Sequence, residues 1–156
     1  MKKFFAKRLS STDLTEPNVF TFIKPLVDTE VKVIKTKLVL FNSPTFGNLK
    51  ASIWEVANNQ PINKIAESSN QYFNQDITAS ANAVKEIYFT FNNSIILKSN
   101  ATYAITLFCG SYSGNANSHI AWIKEIVDQT YTVTGTTLNQ KNLNKLPYWV
   151  SLIGSK

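Results

Sequence analysis

One cysteine, one histidine and five scattered glycines are all that 156 residues hold of those types, and these scarcities remove several chemistries at once. A lone Cys109 has no partner for an internal disulfide, and its place at the end of an apolar run reads as a small buried thiol. One Cys and one His do not make a transition-metal site. A Ser-His-Asp machine needs its base oriented by a third group. The only imidazole, His119, lies near Trp122 in a strand-like run and reads as a structural or surface residue. The glycines stand singly at turns, so no phosphate-cradling loop is present. We expect no cofactor and no metal.

Long apolar runs are also missing, and no segment approaches the length needed to cross a bilayer. Met1-Lys2-Lys3 begins like an export signal, but only Phe4-Phe5-Ala6 precede Lys7-Arg8, too few for an apolar h-region. The ten acidic residues are scattered, and no spacing marks out a pair for glycoside hydrolysis. Asp28 and Glu30 share a turn where calcium could meet them, but two acids in a loop read first as solvated. Taken together, these features predict a protein that is not an enzyme.

The net charge of +6 is unevenly spread. Lys2, Lys3, Lys7 and Arg8 lie in the first eight positions, and the remaining body is only mildly basic. Nucleic-acid binding needs a dense basic face, so we expect neither nucleic acid nor membrane as partner. Asn-Xaa-Ser/Thr occurs at Asn92 and Asn100, as chance allows in a chain with 17 asparagines.

What is abundant is β-branched and aromatic residues with Asn-rich breaks, which favours strands. Residues 1–17 lack sustained alternation and read as an N-terminal extended arm, with Phe4, Phe5, Lys7, Arg8, Leu9 and Leu14 as candidate partner-docking residues. From residue 18 to 156 the pattern is one β domain. Val19 to Ile23 is a first run, closed by Pro25. Val31 to Phe41 is the longest, with Ile34, Thr36, Leu38 and Leu40 on one face and Lys35 and Lys37 on the other. Leu49, Ala51 and Ile53 alternate against Trp54 and Val56. Asn58 to Pro61 reads as a polar loop before a short strand near 64–68, and 69–83 as a long irregular connection with room for one short strand. Ile87, Phe89 and Phe91 alternate against Glu86, Tyr88 and Thr90, and Asn92-Asn93-Ser94 reads as a turn before Ile95-Ile96-Leu97. Tyr103, Ile105 and Leu107, then 119–123, 131–134 and 148–153, complete about ten short strands. Turns every eight to twelve residues point to a sandwich or barrel.

Aromatic side chains are the candidates for recognition. Tyr112, inside a Gly/Ser/Asn loop with Asn115 and Asn117, is the foremost exposed-ligand candidate. Trp54 and Tyr88 point away from the expected core and could form an outer patch.

The order of these signals carries a resemblance. Val19-Phe20-Thr21-Phe22, Val31 to Leu40, Pro44 to Trp54, Ile65 to Ser68, Ile87 to Phe91, Ile95 to Ile105, Ile120-Ala121-Trp122 and Leu152-Ile153-Gly154 follow one another over residues 18–154. This resembles the jelly-roll β-sandwich modules of bacteriophage virion proteins and bacterial extracellular proteins. The resemblance implies an all-β, antiparallel two-sheet jelly-roll-like sandwich and supplies no catalytic residues. The chain stands without a fused enzyme or an export signal, which turns the expectation toward the virion. It implies a head decoration, collar, tail or fibre-attachment subunit, with other virion proteins and copies of itself as partners. A carbohydrate-binding or adhesin module contacting host surface glycans is the alternative. One sandwich hosts many roles, so these remain expectations.

Overall fold

A computed structural model of the protein describes residues 6–8, 20–25, 27–41, 44–58, 60–72, 84–109, 112–113, 119–123, 130–133, 136–139 and 150–154. Thirteen strands and no helix lie within them. In chain order they are β1 (Ala6–Arg8), β2 (Phe20–Pro25), β3 (Thr29–Phe41), β4 (Thr45–Phe46), β5 (Leu49–Ala57), β6 (Gln60–Glu67) and β7 (Val84–Leu97). Then follow β8 (Tyr103–Cys109), β9 (Tyr112–Ser113), β10 (His119–Ile123), β11 (Thr130–Val133), β12 (Thr136–Asn139) and β13 (Val150–Ile153).

Two antiparallel sheets form a sandwich. The first has β7 on one side of β3 and β10 and β13 end to end on the other, with β1 outside β10. The second runs β11-β12-β2-β8-β5-β6, and β4 and β9 form a small ribbon of their own. The chain changes sheet between most successive strands, so most pairings join residues far apart in sequence.

Period-two burial holds where the sequence predicts it. On β3, Ile34, Thr36, Leu38 and Leu40 are buried and Lys35 and Lys37 are not. Leu38, Leu40, Ile53, Phe89, Phe91 and Ile105 all belong to one dry core, together with Trp122, its largest fully buried side chain. Burying each of these side chains stabilises the fold by about 1.5–3 kcal/mol before entropy is counted.

Two local expectations need correcting. Asn92-Asn93-Ser94 does not turn the chain back: β7 runs on through them, and they lie with Phe91 in a bulge. Val31 pairs with Ile95 and Val33 with Thr90, so four residues of β7 face only Lys32, whose Nζ donates to the carbonyl of Asn92. The bulge shifts the inward phase of β3 from Thr29 and Val31 to Ile34 onward. Asn58 to Pro61 is no loop but a tight hairpin. Ala57 pairs with Gln60, and Asn58 takes φ 51°, the left-handed conformation that Asn tolerates and short hairpins need. Between β6 and β7, the irregular connection expected after Ser68 carries one short extended piece at Tyr72. Tyr72 exchanges both backbone hydrogen bonds with Leu49 of β5.

Two tyrosine hydroxyls lock connections. Tyr103 accepts the N–H of Lys98 at 2.9 Å, as tyrosine corners do in β-sandwiches. Tyr112 accepts the N–H of Ile120 at 2.9 Å.

A candidate interaction surface

The outer face of the second sheet, away from the core, carries the most distinctive surface. Cross-strand register sets out its rows. Phe20, Thr106, Ser52 and Glu67 stand opposite one another across β2, β8, β5 and β6. Phe22, Ala104, Trp54 and Lys64 form the next row. Directly paired residues project to the same side, so these eight side chains share one face. Its centre is dry: Ala104 is 0% exposed, and Ser52 and Thr106 are 2% exposed. Small residues on β8 leave room for the large ones beside them. The Trp54 indole donates from Nε1 to Thr106 Oγ1 at 2.9 Å, and the Phe20 and Phe22 rings meet edge to face at 4.9 Å. Phe108, 38% exposed, extends the apolar strip opposite Lys50.

A charged rim borders this strip. Glu67 pairs with Lys50 at 3.2 Å and with Lys64 at 3.1 Å. Burial is the largest single influence on the Glu67 carboxyl and pushes its pKa up. The two lysines outweigh it and hold the carboxyl below its ordinary value. An apolar, aromatic centre inside a charged rim is the anatomy of a protein interface.

The sequence-derived candidates are placed differently from one another. Trp54 belongs to this surface. Tyr88, 42% exposed, lies on the outer face of the first sheet, beneath Lys35, whose Nζ is 5.8 Å from the ring centroid. Trp54 and Tyr88 therefore face opposite ways across the sandwich and form no common patch. Tyr112 is not an exposed ligand contact. It is 9% exposed, its ring joins the core, and its hydroxyl is occupied by Ile120. Asn115 and Asn117 lie outside the described residues.

Of the arm candidates, Phe4, Phe5, Leu9 and Leu14 lie outside the described residues. Lys7 and Arg8 fall in β1, which pairs antiparallel with β10: Ala6 opposite Ile123, Lys7 opposite Trp122, Arg8 opposite Ala121. The backbone of 6–8 thus has a partner within the chain, contrary to a wholly unpaired arm.

The acidic turn has its own explanation. Asp28 Oδ1 accepts the N–H of Ser99 at 2.8 Å, and its other oxygen lies 3.8 Å from the Lys98 ammonium. The Ser99 hydrogen bond, more than Lys98, lowers its pKa. His119 stacks on Phe41 with ring centroids 5.1 Å apart. Among the described residues no three metal-ligating side chains come together.

The chain matches no protein-family model, no curated protein and no solved structure.

Sequence reasoning missed Phe20, Phe22, Ser52, Thr106, Lys50, Lys64 and Glu67 as members of one surface. One signal was available. Tyr103 to Leu107 contains no charged residue, the mark of a strand covered on both faces.

Proposed function

We propose that this chain is a non-catalytic structural protein of a bacteriophage particle, such as a head decoration, collar, tail or fibre-attachment subunit. It works by assembly, through its sandwich faces and its N-terminal arm. The observation that carries this reading is the strip of half-buried Phe20 and Trp54 and exposed Phe108 on the outer face of the second sheet, bordered by the Lys50-Glu67-Lys64 cluster. A rigid face of this kind gains from being covered by a neighbour. The order of strands and turns over residues 18–154, with its likeness to jelly-roll modules, supports the virion setting.

The test is quantitative analysis of purified particles carrying either the parent chain or Trp54→Ala. Incorporation in a fixed ratio to the major capsid protein, lost in a variant that still folds, is the expected result. Absence of the chain from particles, or normal incorporation of Trp54→Ala, overturns the reading.

A second reading is a carbohydrate-binding or adhesin module. It draws on the Trp54 indole, anchored by Thr106 beside charged hydrogen-bonding side chains, as a surface on which sugar rings could stack. A glycan array without hits removes it.

A further inference from the structure

The edges of a β-sandwich govern how its backbone can join another chain. Most edges here are already dealt with. Along β7, Asn70 and Ser69 hydrogen-bond to Thr90, and Asn70 and Tyr72 to the carbonyl of Tyr88. The edge strand β6 carries Pro61 and Lys64 and is broken by two register shifts. The outer side of β2 is taken by β12, and β11 lies close to β13.

The outer edge of β10 is handled in another way. It is neither blunted nor charged but filled by β1, three residues long. Eleven residues, 9–19, separate β1 from β2. Fully extended, such a stretch spans about 36 Å. A three-residue strand paired along one side only is a weak local unit that opens far more easily than the core. The β10 edge it vacates is identical in every copy of the chain, so the same hydrogen bonds form within one copy or between two.

We propose that β10 is a strand-acceptor edge, and that β1 of one copy pairs there with a second copy. The pairing is antiparallel, with Lys7 opposite Trp122, as within a single chain. This rests on the assembly reading and gives the arm its address: the partner is a second copy of this chain, joined by strand addition. The apolar Phe4, Phe5, Leu9 and Leu14 flank the exchanging strand in sequence. Burial against a neighbour would tip the balance from the closed to the exchanged form.

Mixed single-cysteine variants of the full chain test this. Arg8 and Ala121 are directly opposed in the pairing, close enough for a disulfide. Purified Arg8→Cys and Ala121→Cys chains are mixed at high concentration and gently oxidised. The products are read by non-reducing electrophoresis and disulfide peptide mapping; the native Cys109 is buried. The expected result is a covalent pair joining position 8 of one chain to position 121 of the other. The proposal is overturned if the mixture stays monomeric while the double variant closes within one chain, or if no link forms in either. Neither outcome bears on whether particles contain the protein, so the failure of this inference and of the virion reading are separable.

Discussion

Asn70 stands beside Thr90 as though it were the next strand. Its Oδ1 accepts the Thr90 N–H at 2.7 Å, while its Nδ2 donates to the carbonyl of Tyr88 at 2.9 Å. A side-chain amide presents its oxygen and one N–H side by side, as a strand residue presents its own C=O and N–H to a neighbour, so it satisfies the exposed ladder of β7 at this point. Ser69 adds its own N–H to the Thr90 carbonyl at 2.8 Å. Because Tyr72, two residues on, is bridged to β5, this short stretch also ties the two sheets together along one side.

Replacing Asn70 by Ala should therefore do two things. Thr90 is exposed, so water takes over the lost bonds and the cost is modest, about 1 kcal/mol. The freed edge should also exchange its Thr90 amide faster and promote strand-mediated association. Urea unfolding, amide exchange and light scattering check this; no change in all three would show that the carboxamide is incidental.

Tyr112→Phe tests whether that hydroxyl serves structure. The Ile120 N–H it accepts is buried, and the variant leaves that donor without its partner. A loss of about 1–3 kcal/mol in unfolding free energy is expected, with no effect on any surface contact. An unaltered denaturation midpoint would count against the assignment.

The indole of Trp54 should respond to the chemistry of residue 106 and not to its bulk. Thr106→Val preserves shape and removes the acceptor for Nε1, at a cost of about 1 kcal/mol and with a shift in tryptophan emission. Thr106→Ser keeps the acceptor and should lie closer to the parent. If Val and Ser behave alike, the hydrogen bond does not hold the ring.

Acidification should act through Glu67. Its carboxyl binds a proton less readily in the fold than in the unfolded chain, because Lys64 and Lys50 overcome the effect of burial. Its stabilising contribution is complete above the ordinary carboxylate range and disappears as pH falls through the lowered folded value. The parent protein should thus lose more stability between neutrality and about pH 3 than Glu67→Gln does. Added salt should narrow the difference, since this cluster is partly exposed. Parallel pH profiles for the two proteins would exclude the mechanism.

How far the sequence could be read depended on whether a signal was local. The lysines at 35 and 37 set the wet face of β3, so the burial of Leu38 and Leu40 followed from alternation alone. Trp54 and Tyr88 were each recognisable as outward-pointing, but their sheets are assigned by pairing with β8 and β3, which no local pattern encodes. Asn92-Asn93-Ser94 correctly marked irregular backbone. Whether the chain reverses there or bulges depends on β3, some sixty residues earlier. Tyr112 misled because its neighbours in sequence are small and polar, while the residues it packs against in the core, and the Ile120 N–H its hydroxyl accepts, lie elsewhere in the chain.

The unequal spacing opposite Lys32 carries a practical consequence. Since four residues of β7 already span the place of one on β3, the ladder from Val33 to Val39 does not depend on how many residues lie there. The side chains of Asn92, Asn93 and Ser94 are exposed. A short epitope or a labelled peptide spliced between Asn93 and Ser94 would be carried on the flank of the sandwich, leaving both its packed faces and the β10 edge undisturbed.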